Sequence, residues 1–350
     1  MAYSNVGVPT FYIDNYLYRK TVGATDEALH VEETDEEGAS IVNSVDLDLF
    51  TLRPSSSKEI DSSSNFDIMI PRTGSFNFRG NMSCYVAILN HTSSAGSYIS
   101  NADYYSDDLT DSTESTNTFR PIINFKGENS KNGSTILSSH NEGRGSSYIG
   151  VSFTTNSPVK IGAISTGIKY KMFQSPELDI SMEIENDGYK SITTSSGADI
   201  TNIHYTGAPL WNNGENFTNP FEIYEGVLDV RNTGAISNGR RSWVMKFKFM
   251  SDKNVFSSNY KHSYYSENGT SYDSSDYVNN DSLRWNINED DSFVAQVWNK
   301  TLGGALPFIF QPDSDNYDDF FICKFDKDTL KINQSAYQVY DISLKIIQVW

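Results

Sequence analysis

Three stretches in the C-terminal half alternate apolar and polar residues with a period of two. This pattern restricts the chain more than any other feature. In "RRSWVMKFKFM" (240–250), Trp243, Met245, Phe247 and Phe249 fall on one side, and Val244, Lys246 and Lys248 on the other. In "ELDISMEIENDGYKSITT" (177–194), Leu178, Ile180, Met182 and Ile184 alternate with Asp179, Ser181, Glu183 and Glu185. The "NDG" that follows tolerates positive φ at low cost, so the stretch reads as a β-hairpin. "VYDISLKI" repeats the habit with Tyr340, Ile342, Leu344 and Ile346. Successive side chains of a strand point to opposite faces, so each stretch predicts a half-buried strand. The last one belongs in the middle of a sheet, because leaving that apolar row open to water is costly.

The N-terminal half gives shorter signals of the same kind. "NFDIMIP", "SFNFRG", "YIGVSFTT" and "PVKIGAISTGIKY" read as strands, and "CYVAIL" (84–89), apolar throughout, as a strand covered on both faces. "PTFYIDNYLYRK" fits either a strand or a short turn of helix. The polar segment 93–117 is too long for a connector and predicts a surface loop. One helix is expected over about 290–302. Phe293, Val294, Val297, Trp298 and Thr301 recur at helical spacing after Asp290, Asp291 and Ser292, and Gly303 and Gly304 supply a stop.

The chain is therefore expected to be mainly β, in three parts. These are an N-terminal arm with an acidic loop (1–63), a β-sandwich or jelly-roll unit (64–170), and a β domain with one packed helix (171–350). At 350 residues a core needs no metal or disulfide support. Cys84 and Cys323 sit inside apolar runs and read as small buried hydrophobes. A net charge of −18 repels a phosphate backbone, so no nucleic-acid partner is expected. The acidic runs 24–37 and 105–116 read as solvated loops, with a docking surface for a basic partner as the alternative. The N-terminus has no signal-peptide pattern, and no apolar stretch is long enough for a membrane span. Asn-X-Ser/Thr triplets such as "NHT" and "NFT" read as unmodified.

Motifs that carry chemistry are sparse. "GENSKNGST" fails the phosphate-loop spacing, and no Gly-X-Ser-X-Gly elbow occurs. The five histidines are not spaced as a metal site. "HNEGRG" (140–145) reads as a polar turn sooner than an acid–base cluster. "DSDNYDD" (313–319) begins like a calcium loop but has Asp318 where the glycine belongs and no closing glutamate. No catalytic residue, cofactor or metal ligand is assigned. Four residues are candidates for an interface. Arg240 and Arg241 open a strand and are expected to give at least one charge-assisted hydrogen bond to an acid, within the subunit or across a contact. Tyr205 and Trp211 sit in a Pro/Gly loop, where they would stack on a sugar, anchor a neighbouring subunit, or tuck onto their own core.

Taken in order, "FYIDNYLYR", "YVAILNH", "GIKYKMFQSPELDISMEIENDGYKSITTSSGADITNIHYTGAPLW", "GRRSWVMKFKFMSDKNVF", "VWNKTLGGALPFIFQPD" and "FFICKFDKDTLKINQSAYQVYDISLKIIQVW" resemble a family of virion structural proteins of marine tailed bacteriophages. The resemblance covers most of the chain and is strongest from about 165 to 350. More loosely, the strand–helix–"GGALPFIFQP" order is similar to the hub domain of distal tail and minor tail proteins. "YVAILNH" is similar to a strand of galactose-binding-like jelly rolls. These resemblances imply a jelly roll followed by a tail-hub-like β-barrel. They imply a non-enzymatic tail or baseplate component of the virion, made in the host cytoplasm. Its partners would be copies of itself and other tail or baseplate proteins. A carbohydrate- or receptor-binding module recognising a host surface glycan is the alternative, and a polysaccharide-acting tail enzyme a lesser one.

Overall fold

The computed structural model describes residues 7–23, 32–34, 40–41, 52, 58–60, 66–71, 82–91, 98–105, 126–130, 134–139, 148–154, 159–185, 189–203, 240–256, 292–315, 320–326 and 328–349. Strands β1 (Thr10–Asp14), β2 (Glu32–Thr34), β3 (Ser40–Ile41), β4 (Lys58–Ile60), β5 (Phe66–Pro71) and β6 (Met82–His91) come first. They are followed by β7 (Tyr98–Tyr105), β8 (Lys126–Ser130), β9 (Ser134–Ser139), β10 (Tyr148–Thr154) and β11 (Val159–Lys171). Beyond residue 171 come β12 (Ser181–Glu185), β13 (Tyr189–Thr193), β14 (Asp199–Ile203) and β15 (Arg240–Ser251). The last are β16 (Phe308–Gln311), β17 (Phe321–Phe325), β18 (Lys331–Ala336) and β19 (Val339–Gln348). Two short α-helices, α1 (Asn15–Thr21) and α2 (Asp252–Val255), and a π-helix at Val294–Asn299 complete the described elements. The chain is mainly β, as its alternation predicts.

One large antiparallel sheet runs in the order β12-β15-β19-β17-β16-β1-β11-β6-β9-β8, with β18 added to β19 and β4 to β11. A smaller sheet orders β3-β2-β5-β10-β7, and β13 and β14 form a separate ribbon. β1 lies between β11 and β16, so strands from either side of residue 171 share the large sheet.

The middle of this sheet is covered on both faces. Phe11 and Ile13 of β1, Val86 and Ile88 of β6, and Phe308 and Phe310 of β16 pack into one apolar cluster. Tyr12, then Tyr85, Ala87 and Leu89, then Ile309 pack into a second. The continuous apolar run of β6 matches this two-sided burial, since Tyr85 through Leu89 are all fully buried. Phe11 is the hub of the first cluster, with ring centroids 5.3 to 6.1 Å from Phe293, Phe308, Phe310 and Phe325. On β19, Ile342, Leu344 and Ile346 are buried in that same cluster, and the strand pairs on both sides, centrally as expected.

Several local expectations change. The polar segment 93–117, expected as a surface loop, holds β7, which pairs with β10, and the acidic run 24–37 holds β2, which pairs with β5, because main-chain pairing in a sheet does not need an apolar side-chain row. The hairpin over 177–194 does not form: β12 pairs with β15, and β13 pairs with β14. β12 sets Met182 opposite Trp243 and so extends the large sheet, a larger gain than a two-stranded ribbon offers. The β13–β14 turn uses Gly197 at φ 81°, with Thr194 accepting and donating across it. On β15, Trp243, Met245 and Phe247 are buried, but the register shifts between Phe247 and Met250, and Met250 takes the next core position. Phe249, held at φ 59°, points into solvent, and its N–H donates to Asp341 Oδ1 at 3.0 Å. A β-bulge of this kind inverts the facing of every residue after it, which strict alternation cannot foresee.

The helix expected at 290–302 is a π-helix over Val294–Asn299 followed by a turn. Of its predicted face, Phe293, Val294, Val297 and Thr301 are buried, and Trp298 is half-buried against the same cluster. Ala295 and Gln296 are buried too, so the segment is enclosed and not laid on one face. Ser292 Oγ accepts from Ala295 N at the start. Leu302, Gly303 and Gly304 all take positive φ at the stop.

Candidate functional site

The ambiguous stretch at the N-terminus is both of the things its sequence allowed. Thr10–Asp14 is a strand, and Asn15–Thr21 is a helix capped by Asp14. Asp14 Oδ1 accepts from Leu17 N at 2.8 Å, the usual N-cap bond. The second oxygen turns into the sheet. Ser165 Oγ of β11 donates to Asp14 Oδ2 at 2.8 Å, and Tyr85 OH of β6 lies 2.7 Å from the same Ser165 oxygen. Thr166 Oγ1 donates to the Tyr85 carbonyl at 3.2 Å. Tyr12 meets the Tyr85 ring edge-on at 5.1 Å and donates its own hydroxyl to Gln311 Oε1 at 2.8 Å. Lys169 Nζ stands 5.5 Å over the Tyr12 ring.

These groups are enclosed: Ser165 and Tyr85 are fully buried and Asp14 is 3% exposed. Burial pushes the Asp14 carboxyl up to about 7, against the lowering effect of its bonds from Leu17 and Ser165. Burial and the nearby Asp14 charge raise Tyr85 well above the usual phenol range. Tyr16 is pushed up to about 12 by the same two causes. Burial lowers Lys300 to about 7. Asp14, Ser165 and Tyr85 form one line of hydrogen bonds from a carboxyl through a hydroxyl to a phenol. Their burial makes that line a device that fixes the mutual register of β1, β11 and β6.

The outer surface carries a different feature. Leu178, Met182 and Ile184 at β12, and Ile192 and Ile200 on the ribbon that begins just after it, are large apolar residues exposed to solvent. Ile192 and Ile200 face each other across the ribbon. Along β15, Lys246 pairs with Asp179 at 2.8 Å and Lys248 with Glu177 at 2.7 Å, tying the strand to the segment before β12. The exposed ion pair raises Lys246 and lowers Asp179 from their ordinary values.

Arg240 and Arg241 open β15, opposite Glu185 and Ile184 of β12. The Arg241 guanidinium lies 4.7 Å over the Phe321 ring, and its backbone N–H donates to Gln348 Oε1. Tyr205 and Trp211 lie outside the described residues, as do the "HNEGRG" segment and residues 316–319 of the acidic turn. At the start of that turn Asp315 N donates to Asp313 Oδ1, a local turn bond. Among the described residues no group of three or more His, Cys, Asp or Glu is placed to hold a metal ion. Nor is any described helix long and apolar enough to cross a membrane. Cys323 is buried, as its apolar run predicts.

Sequence reasoning missed the Asp14–Ser165–Tyr85 line of hydrogen bonds. Its members come from three strands, separated by 80 and 151 positions along the chain, so no spacing links them. The only local signal was Asp14 itself, an N-cap residue before "NYLYRK". Comparisons with protein-family models, with curated proteins and with solved structures returned no match.

Proposed function

We propose that this chain is a non-enzymatic structural component of a phage tail or baseplate, incorporated into the particle in several copies. The observation that carries this reading is where the molecule puts its two kinds of side chain. Among the described residues, the hydrogen-bonded Asp14, Ser165 and Tyr85 are enclosed in the core. Large apolar groups at β12 and on the β13–β14 ribbon stand in water. A protein that works by being built into something larger has use for such a surface. The ordered resemblance to virion structural proteins supplies the context. The finer architecture, a jelly roll over 64–170 and a hub-like barrel over 171–350, rests on that resemblance. The order of β15, the π-helix and β16 agrees with the strand–helix–"PFIF" order of the hub pattern. In this reading the chain is made in the host cytoplasm and works in the virion.

A density map of intact particles, with mass spectrometry of the purified virion, tests the proposal. The expected result is this chain in the tail at several copies. Its restriction to the host lysate, or cleavage of host polysaccharide by the purified chain, would overturn it. Binding of the purified chain to a host glycan, with no place in the tail ring, would favour the adhesion alternative instead.

A further inference from the structure

We propose that the outward corner of β15, β19 and β18 binds an uncharged sugar ring, with Phe249 as its platform and Asp341 as a hydroxyl acceptor. Such a ligand is independent of the reading of the chain as a tail component.

The corner is built around two β-bulges. β15 shifts register between Phe247 and Met250, and β18 between Gln334 and Ala336, both against the same stretch of β19. Asp341 fastens the two together. Its Oδ1 accepts from Phe249 N at 3.0 Å and from Ser335 Oγ at 3.2 Å. Bulges are over-represented beside functional sites, where they re-aim a side chain. Here the re-aimed group is Phe249, held at φ 59° with its side chain 73% exposed. Neither core burial nor backbone preference accounts for a phenylalanine at this position, since glycine takes that φ without strain. Strain retained at an exposed ring points to a use for the ring. Among the described residues one other aromatic ring is exposed, Tyr337 at 84%. It stands in the turn joining β18 to β19, next to Gln338, whose carbonyl accepts from Asp252 N just past the β15 bulge. Both exposed rings therefore come from one corner.

The surroundings select the ligand. Cross-strand partners share a face of the sheet, so Asn333, opposite Asp341, stands on the outward side with it. A protein hot spot packs its aromatic anchor among other apolar groups in a desolvated pocket. Phe249 is set instead beside a carboxylate, a hydroxyl and an amide. The charges of this face are already matched: Lys246 pairs with Asp179, Lys248 with Glu177 and Lys345 with Asp326, at 2.7 to 3.1 Å. That balance favours neither a polyanion nor a basic peptide. A pyranose has the complementary chemistry. Its C–H face lies on an aromatic ring, and its hydroxyls reach the polar groups at the rim. A carboxylate has about four acceptor sites, so Asp341 can hold Phe249 and Ser335 through Oδ1 and take a sugar hydroxyl on Oδ2.

A glycan array probed with the full chain, followed by saturation-transfer NMR with a neutral oligosaccharide that binds, tests this. The wild type is expected to bind at least one neutral pyranose glycan. Its affinity should hold from about 0.05 to about 0.5 M NaCl, since no ion pair is there to be screened. Phe249→Ala should weaken binding at least ~10-fold with the circular dichroism unchanged, and Phe249→Tyr should restore it to within a few-fold. Phe249→Gly should lose binding without losing stability, which separates the ring from the fold. Failure to bind any neutral glycan overturns the proposal. So does binding confined to charged glycans and abolished by salt, or a Phe249→Ala chain that binds like wild type. Each of those results leaves the place of the chain in the tail to be decided by the particle map.

Discussion

Replacing Asp14 by asparagine should remove a pH dependence that the wild-type fold carries in its core. The carboxyl is pushed from 3.8 to about 7 by burial, so the folded chain holds its proton where the unfolded chain has lost it. The stabilisation is therefore complete below about pH 4 and is lost progressively as pH rises to and through 7. Each unit of difference is worth about 1.36 kcal/mol. Between pH 5 and pH 8 the wild type should lose up to ~3 kcal/mol on this account. In the Asp14→Asn variant the side chain keeps an oxygen for Leu17 N and offers an N–H to Ser165 Oγ, whose hydroxyl can then turn toward Tyr85. The variant therefore stays capped and has no charge to bury. The difference between variant and wild type is the proper readout, because other groups also titrate. Lys300, lowered from 10.5 to about 7, acts in the opposite sense. Its contribution is complete above 10.5 and is lost as pH falls through 7. Urea unfolding of both proteins at pH 5, 6.5 and 8 should show the Asp14→Asn form gaining on wild type by about 2–3 kcal/mol across the range. A constant difference would refute the assignment of a buried, proton-holding Asp14.

Two other sites test the packing. Gly167 lies opposite Asp14 in the β1–β11 register, and a Cβ there would overlap the backbone of Ile13 and Asn15. Gly167→Ala should cost about 1–3 kcal/mol in urea unfolding, and a loss under ~0.5 kcal/mol would contradict the close approach. At the bulge, Phe249→Gly should leave stability unchanged or raise it by up to ~1 kcal/mol, since it relieves a positive φ at an exposed position. Met250→Ala should cost about 2–5 kcal/mol, and the opposite ranking of these two variants would remove the bulge.

The sequence determined the β character of this chain, because period-two alternation has one geometrical meaning. Rows such as Ile342, Leu344 and Ile346, or Trp243, Met245 and Phe247, are legible wherever a strand is regular. It also marked the two-sided burial of Tyr85 through Leu89 and the inward face of the segment around Val297. The partner of each strand was not legible. Alternation states which residues share a face and is silent on which neighbour lies alongside, so the apparent hairpin at 177–194 divides between β15 and β14. Nor could it place the bulge that turns Phe249 outward, since one extra residue changes no composition and breaks no pattern before the ladder is formed. The Asp14–Ser165–Tyr85 line of hydrogen bonds and the exposure of Met182 and Ile184 share that origin. Each depends on strands remote in sequence being brought together, or on one strand being left last in line, and only the tertiary structure decides that.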